Sequence, residues 1–216
     1  MRIPKHLGII PDGNRRWAEG NGMSKEKGYD SGLNPGLEVF KLCEKLGIEE
    51  LTFYGFTSDN TKRPRVQRLA FTKACIDAVK LLSKENADLL VIGNTDSAMF
   101  PKELTPFTKE RRRFGKGGTK VNFLVNYDWK WDVGYMGEGD RDRDSKNPIQ
   151  QIHSKDISRV DLIIRWGGRR RLSGFLPLQA VYSDFYIVED YWPDFHPKHF
   201  LTAIEWYNTQ DITLGG

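Results

Sequence analysis

Short apolar runs alternate along this chain with stretches patterned at helical spacing, and that alternation restricts the fold more than any other feature. Leu7 to Ile10, Leu51 to Phe56, Leu89 to Ile92, Val121 to Val125, Leu162 to Arg165 and Phe185 to Val188 read as strands bounded by Gly, Pro and polar residues. From Asn34, with Pro35 at the first helical position, Val39, Phe40, Cys43 and Leu46 recur at helical spacing until Gly47 stops them. Residues 65 to 85 place Leu69, Ile76 and Val79 on one side of a second helix, and further helices are expected around Glu103 to Phe114 and from Pro197 to Gln210. Strands alternating with helices predict an α/β fold, a mainly parallel central sheet flanked by helices. Such a sheet is wound right-handedly and gathers ligands at the carboxyl ends of its strands.

Polar clusters fall at three of those ends: residues 12 to 17, 57 to 64 and 165 to 173. In the first, Pro11 and Gly13 break the strand and leave Asp12 beside backbone N–H groups that open a helix, with Arg15 and Arg16 following. Free amides and Arg favour an anion there, and Asp12 can hold a divalent cation against phosphate oxygens, although the same Asp could simply cap a helix. In the third, Arg165, Arg171 and Ser173 can clamp one diphosphate through forked guanidinium donors, with Gly167 and Gly168 admitting the backbone. A solvated basic loop or an RNA contact is the competing reading of that stretch. The aromatics speak against RNA, because they are scattered through strands and helices rather than interleaved with the arginines.

Composition narrows the field. The 216 residues suit one domain spanning the chain, and 38% hydrophobic residues with six Trp argue against disorder. A net charge of only +4 means that any basic site arises by clustering. Cys43 and Cys75 fall inside helical patterns without metal-ligand spacing, which suggests reduced, buried thiols. No apolar run approaches the roughly 18 residues of a membrane span and no signal peptide precedes the first strand, so a soluble, cytoplasmic protein is expected. Arg111 to Arg113 read as favourable charge at a helix end, and Phe53, Tyr54 and Phe56 as core. The segment from Gly134 to Lys155 reads as a polar, mobile loop. Its Asp140, Asp142 and Asp144 resemble a calcium loop, but Ser145 and Gln151 stand where Gly and Glu are needed. No Asp-Asp pair, no phosphate-binding Gly-rich Lys motif and no paired His ligands occur, so the aspartate-rich magnesium motif, nucleotide hydrolysis and zinc find no support.

Taken together, Asp12-Gly-Asn-Arg-Arg-Trp-Ala, Thr57-Ser-Asp-Asn60-x-x-Arg63-Pro, Asn126-Tyr127, Asp161-Leu-Ile-Ile-Arg165-x-Gly-Gly-x-x-Arg171-x-Ser173 and Tyr191-Trp-Pro-Asp-Phe195 resemble the cis-prenyltransferase family. The motifs stand in the family's order and cover nearly the whole chain. The resemblance implies a homodimer acting on small-molecule prenyl diphosphates, with Mg2+ on Asp12 and no nucleic acid or stable membrane insertion. It implies that Gly13, Asn14, Arg15 and Arg16 cradle an allylic diphosphate. Asn60 and Arg63 would assist leaving-group departure and proton loss, and Arg165, Arg171 and Ser173 would hold the second diphosphate. Asp184 falls where the family carries a Glu that completes the metal site. An apolar wall including Leu51, Phe53 and Leu89 would exclude water from the carbocation.

Around these anchors the chain departs from the elongating members. Tyr29 replaces a His, Lys25 an Arg and Thr61 a Trp; the 132–161 connection is short, and the Leu214-Gly-Gly tail lacks an Arg. Retained diphosphate anchors with a rebuilt surround suggest the small lavandulyl-type branch, which joins two dimethylallyl diphosphates head to middle and in some members cyclises the product. Head-to-tail addition of isopentenyl diphosphate is the alternative. A silent partner subunit should have lost Asp12 or the Arg165–Ser173 clamp, and neither is lost; a nucleic-acid-binding module predicts salt-sensitive, magnesium-independent binding. Thr57, Asn60, Tyr29 and a substrate phosphate oxygen all stand as the proton acceptor.

Overall fold

The computed structural model describes residues 2–134 and 147–211. A seven-stranded sheet, ordered β4-β3-β5-β2-β1-β6-β7, runs through it. β1 (His6–Ile10), β2 (Glu50–Tyr54), β3 (Ala87–Ile92), β5 (Thr119–Leu124), β6 (Leu162–Arg165) and β7 (Asp184–Ile187) are parallel, and only β4 (Arg112–Arg113) runs antiparallel, beside β3. β1 lies between β2 and β6, with Leu7 opposite both Leu51 and Leu162. The strand order therefore reverses at β1, and a crevice opens beyond the carboxyl ends of β1, β2 and β6.

Alternate side chains sort the sheet into two faces. Leu7, Ile9, Leu51, Phe53, Leu89, Val121 and Phe123 join a core built with α2 (Leu33–Leu46), α3 (Arg65–Leu82) and α5 (Pro197–Thr209). α2 ends where the sequence indicates: Gly47 takes φ 73°, and its N–H and that of Ile48 close onto the last carbonyls. The other face packs Ile10, Tyr54, Leu90, Leu124 and Ile163 under Ile157, Val160, Phe175 and Leu176, from irregular chain rather than helices. Gly8 lets Phe175 sit directly on β1, because a Cβ there would lie 2.8 Å from its ring.

Three expectations are corrected. The helix around Glu103 to Phe114 is instead a 3-10 turn at Lys102–Phe107 followed by β4. Pro106, lacking an N–H, cannot make the α-helical bond to residue 102, and Gly115, Gly117 and Gly118 follow. Arg111 accordingly does not serve a helix end: its guanidinium donates to the Asn122 side chain at 2.7 Å and to the Asp88 carbonyl at 3.0 Å, and lies 3.8 Å from Glu50. The segment after Gly134 forms a 3-10 turn at Pro148–Gln151 and is packed from residue 152, with Ile152 and Ser154 buried. Asp132 accepts both the Ser154 N–H and its hydroxyl, and also the Tyr127 hydroxyl, from the unanticipated α4 (Trp129–Gly134). Asp140, Asp142, Asp144, Ser145 and the tail at 214–216 lie outside the described residues. No helix among the described residues is long and apolar enough to cross a membrane.

Candidate active site

Because β1, β2 and β6 are parallel neighbours, the three polar clusters emerge side by side, and together they line a single cavity of about 480 Å³. Asp12, Gly13, Asn14, Arg15 and Arg16 enter it from β1, Thr57, Asn60 and Arg63 from β2, and Arg165, Arg171 and Ser173 from β6. Lys25 and Tyr29 complete one wall. Of the residues whose side chains the sequence assigns to the diphosphates and the metal, only Asp184 is absent.

The first turn is held by the Tyr191–Phe195 motif. The Trp192 N–H donates to the Asp12 carbonyl at 3.0 Å and the Trp17 indole to Asp194 at 2.7 Å, while the Tyr191 ring presses on Gly13, whose φ of 103° suits glycine. α1 (Asn14–Gly20) is only seven residues long, so the positive field rests on side chains more than on a macrodipole. Asn14 spends its amide N–H on the Pro11 carbonyl at 2.8 Å.

Arg165 joins the first turn to the third cluster. Its guanidinium is buried, donates to Asp12 Oδ2 at 2.7 Å and to Ser173 Oγ at 3.0 Å, and also reaches the Arg171 carbonyl. Burial alone would raise the Asp12 carboxyl. The Arg165 hydrogen bond and charge, the Gly13 N–H at 2.6 Å and Arg16 at 3.5 Å outweigh it and hold that carboxyl below its ordinary range. Asp12 is thus an ionised acceptor, already engaged by arginine.

Opposite it, Arg63 donates to the Tyr29 hydroxyl at 3.0 Å, and the Tyr29 ring stacks on Phe71 with centroids 4.6 Å apart. Burial pushes the Tyr29 phenol upward despite Arg63 and Arg15. Gly28 fixes this segment against α1, since a Cβ there would collide with the Asn14 carbonyl. Asn60 accepts the Thr57 N–H on its amide oxygen at 3.1 Å, which leaves its amide N–H groups for the cavity. Lys25 pairs with Glu19 at 2.9 Å on the rim, and Thr61 bonds the Ser58 carbonyl rather than lining the cavity.

Asp184 is corrected as a partner of Asp12 within one chain. It begins β7 opposite Leu162 and pairs with Arg2 at 3.3 Å, at the amino edge of the sheet, whereas Asp12 follows the carboxyl end of β1. Among the described residues no group of three or more His, Cys, Asp or Glu could hold a metal. One ionised carboxylate beside a diphosphate-sized cavity still fits magnesium, which takes one or two protein carboxylates and completes its shell with phosphate oxygens and water.

A second, apolar cavity of about 90 Å³ lies between α2, α3 and the sheet, floored by Phe53 and Phe123, whose rings stack 5.5 Å apart. It meets the polar cavity at Pro11, Asn14, Tyr29, Gly55 and Phe71, residues that line both. Phe53 belongs to its wall as expected; Leu51 and Leu89 do not, being sealed in the core at 0% exposure. The sequence missed Tyr54. It reads as core, yet lines the polar cavity and donates its hydroxyl to the Ser173 carbonyl at 2.7 Å. A Tyr rather than a Phe at a strand end was the only available signal.

The family model described as "Putative undecaprenyl diphosphate synthase" matches residues 10–215. A Buchnera aphidicola protein named ditrans,polycis-undecaprenyl-diphosphate synthase ((2E,6E)-farnesyl-diphosphate specific) is 31% identical over 98% of this chain and 91% of its own. An isoprenyl transferase of Agrobacterium fabrum is 33% identical over 99% of this chain and 92% of its own. The crystal structure of lavandulyl diphosphate synthase from Lavandula x intermedia, in complex with dimethylallyl diphosphate, superposes with TM-score 0.84 over 99% of both chains at 22% identity, which establishes a shared fold. With residues 10–215 matched by the family model and its motif residues assembled in one cationic cavity, the chain belongs to the undecaprenyl diphosphate synthase family of prenyltransferases.

Proposed function

We propose that the protein condenses two short prenyl diphosphates, specifically two dimethylallyl diphosphates joined head to middle in a lavandulyl-type reaction, with or without ring closure. The observation that carries this reading is the size of the apolar cavity. At about 90 Å³ it is smaller than the roughly 150 Å³ cavity that admits benzene, so it has no room for a long chain, and a five-carbon group would extend from it into the mouth shared with the polar cavity at Tyr29 and Phe71. The fold shared with lavandulyl diphosphate synthase supports the same reading. The names of the sequence relatives favour the alternative, head-to-tail addition of isopentenyl diphosphate.

Charge supports a pair of substrates. Seven cationic side chains and three carboxylates line the polar cavity, an excess of four positive charges. Two diphosphates bring roughly three negative charges each, so one divalent cation completes the balance. The allylic diphosphate would lie against Gly13, Asn14, Arg15, Arg16 and Arg63 with its hydrocarbon in the apolar cavity. The second would lie against Arg165, Arg171 and Ser173. Magnesium bound at Asp12 would neutralise charge developing on the departing diphosphate. Preorganised Arg15, Arg16 and Arg63 would stabilise the same charge without reorganising, and Tyr29, Phe53 and Phe71 would shield the carbocation from water. Thr57 and Asn60 carry no basic group at neutral pH, and burial keeps Tyr29 protonated. The proton lost after carbon–carbon bond formation is therefore assigned to a diphosphate oxygen of a substrate. Two copies of the chain would form the working homodimer.

Diphosphate release with dimethylallyl diphosphate alone, and then with isopentenyl diphosphate added, tests the proposal. Turnover on the single substrate, with a branched ten-carbon alcohol seen by mass spectrometry after dephosphorylation, is expected. Turnover only when both are present assigns head-to-tail elongation instead, and no release from any allylic donor leaves a silent subunit.

A further inference from the structure

We propose that Tyr54 is a positioning residue that presets the loop holding the second diphosphate, an inference that rests on reading Arg165, Arg171 and Ser173 as that clamp. The loop from Gly167 to Leu176 is held in unusual backbone geometry. Ser173 and Leu176 adopt φ of 54° and 34°, and Gly174 adopts 80° between them. Left-handed backbone is disfavoured for a residue with a Cβ, so Ser173 stays there only while neighbours hold it.

Three contacts do so. Phe175 is wedged onto β1 over Gly8, fixing the loop from below. Arg165 grips the Ser173 hydroxyl and the Arg171 carbonyl from the side. Tyr54 fixes the remaining direction: its hydroxyl donates to the Ser173 carbonyl at 2.7 Å, and its ring stands edge-on to Phe175 and Tyr127 at 5.4 and 6.2 Å. The carbonyl that Tyr54 holds fixes the peptide plane between Ser173 and Gly174, and with it the ψ of Ser173, in the loop whose exposed Ser173 and Arg171 line the cavity. Burial pushes the Tyr54 phenol upward, so it remains a donor across the working pH range. Because the bond comes from the end of β2, the strand that also leads into Asn60 and Arg63, both diphosphate positions are tied to one rigid sheet edge.

Tyr54→Phe keeps the ring contacts and removes only the hydroxyl. Calorimetric titration of the full chain with isopentenyl diphosphate, the isomer of the proposed second substrate that does not ionise, reads the clamp, and dimethylallyl S-thiolodiphosphate, which resists ionisation, reads the first turn when added to chain already saturated with isopentenyl diphosphate. The expected result is an isopentenyl diphosphate affinity weakened about ten-fold, thiolodiphosphate affinity within about two-fold of wild type, and faster amide exchange confined to 171–176. Ser173→Gly takes the left-handed conformation freely. Combined with Tyr54→Phe it should show coupling, the tyrosine substitution costing less than it does beside serine. Unchanged affinities, equal weakening of both ligands, faster exchange without a change in affinity, or strict additivity of the two substitutions would each overturn the inference. If the wild-type chain binds neither ligand, the proposed function fails first, and the two failures are thereby distinguished.

Discussion

The Asp12 carboxylate faces the Arg165 guanidinium at 2.7 Å, and the arginine is 5% exposed. Removing the carboxylate takes away the proposed metal ligand, while Arg165 keeps Ser173 Oγ and the Arg171 carbonyl as acceptors. Asp12→Ala should therefore cut magnesium-dependent diphosphate release by about a thousand-fold. It should cost about 1.5–3 kcal/mol, several degrees in thermal midpoint, because the buried guanidinium loses its counter-charge, measured by calorimetry beside the rate. A variant with near-normal turnover would remove Asp12 from the mechanism. That this position sets a carboxylate beside arginines was readable in the sequence, from an Asp between Pro and Gly with Arg-Arg following, although a helix cap was an equal reading of the same Asp. That Arg165, 153 residues away, fills the carboxylate's other side was not, because that contact depends on β1 and β6 being paired in register.

At the scale of elements, α2 and α3 enclose the apolar cavity, and Gly36 of α2 faces it with the nearest Phe53 atoms 4.0 Å from where a Cβ would stand. Gly36→Ala should stabilise the fold by roughly 0.5–1 kcal/mol, because it removes helix-interior backbone freedom without a clash. Gly36→Leu should fill the cavity and raise the KM for the allylic substrate about ten-fold or more with the fold preserved, both read from steady-state kinetics and thermal melts. At the opposite end of the strands, His6, Thr52, Asn122 and Glu50 form a buried ladder across β1, β2 and β5: His6 Nε2 lies 2.7 Å from Thr52 Oγ1, and Asn122 donates to Thr52 at 2.8 Å and to Glu50 at 2.7 Å. Burial holds the His6 imidazole below its ordinary value of 6.5 despite the nearby Glu50 charge. The unfolded chain therefore binds more protons than the folded one just below pH 6.5, and stability falls as the pH drops from there toward the folded value. The Glu50 carboxyl, whose burial is outweighed chiefly by His6 and Asn122, is held low and adds loss in the same direction at more acid pH. Thermal midpoints from pH 7 to 5.5 should fall in the wild type, and His6→Gln should flatten the His-dependent part of that slope. Strand and helix positions were legible wherever periodicity was sustained; residues 102–113 failed because Pro106 and an edge pairing with β3 overrode a weak helical pattern.

At the scale of the whole molecule, large apolar side chains stand exposed on both faces of the sheet, Val66 and Leu69 on α3 at 60% and 58% and the adjacent Val181 and Tyr182, on irregular chain, at 62% each. Neighbouring exposed apolar side chains mark contact surfaces, and a second copy of the chain is the proposed cover of Val181 and Tyr182. Sedimentation should show a dimer, and Val181→Glu with Tyr182→Glu should yield folded monomers; a wild-type monomer at micromolar concentration would refute that assembly. By itself the sequence determined the α/β class, the three strand-end clusters and the family. Those properties lie in local periodicity, in turn chemistry and in motifs short enough to be read without knowing what packs on them. Only the tertiary structure decided that Asp184 sits at the far edge, that Arg165 bridges Asp12 and Ser173, that Tyr54 bonds the Ser173 carbonyl, and that the apolar cavity is small. Each of these depends on distances between residues remote in the chain, which strand register and side-chain packing set and no local pattern encodes.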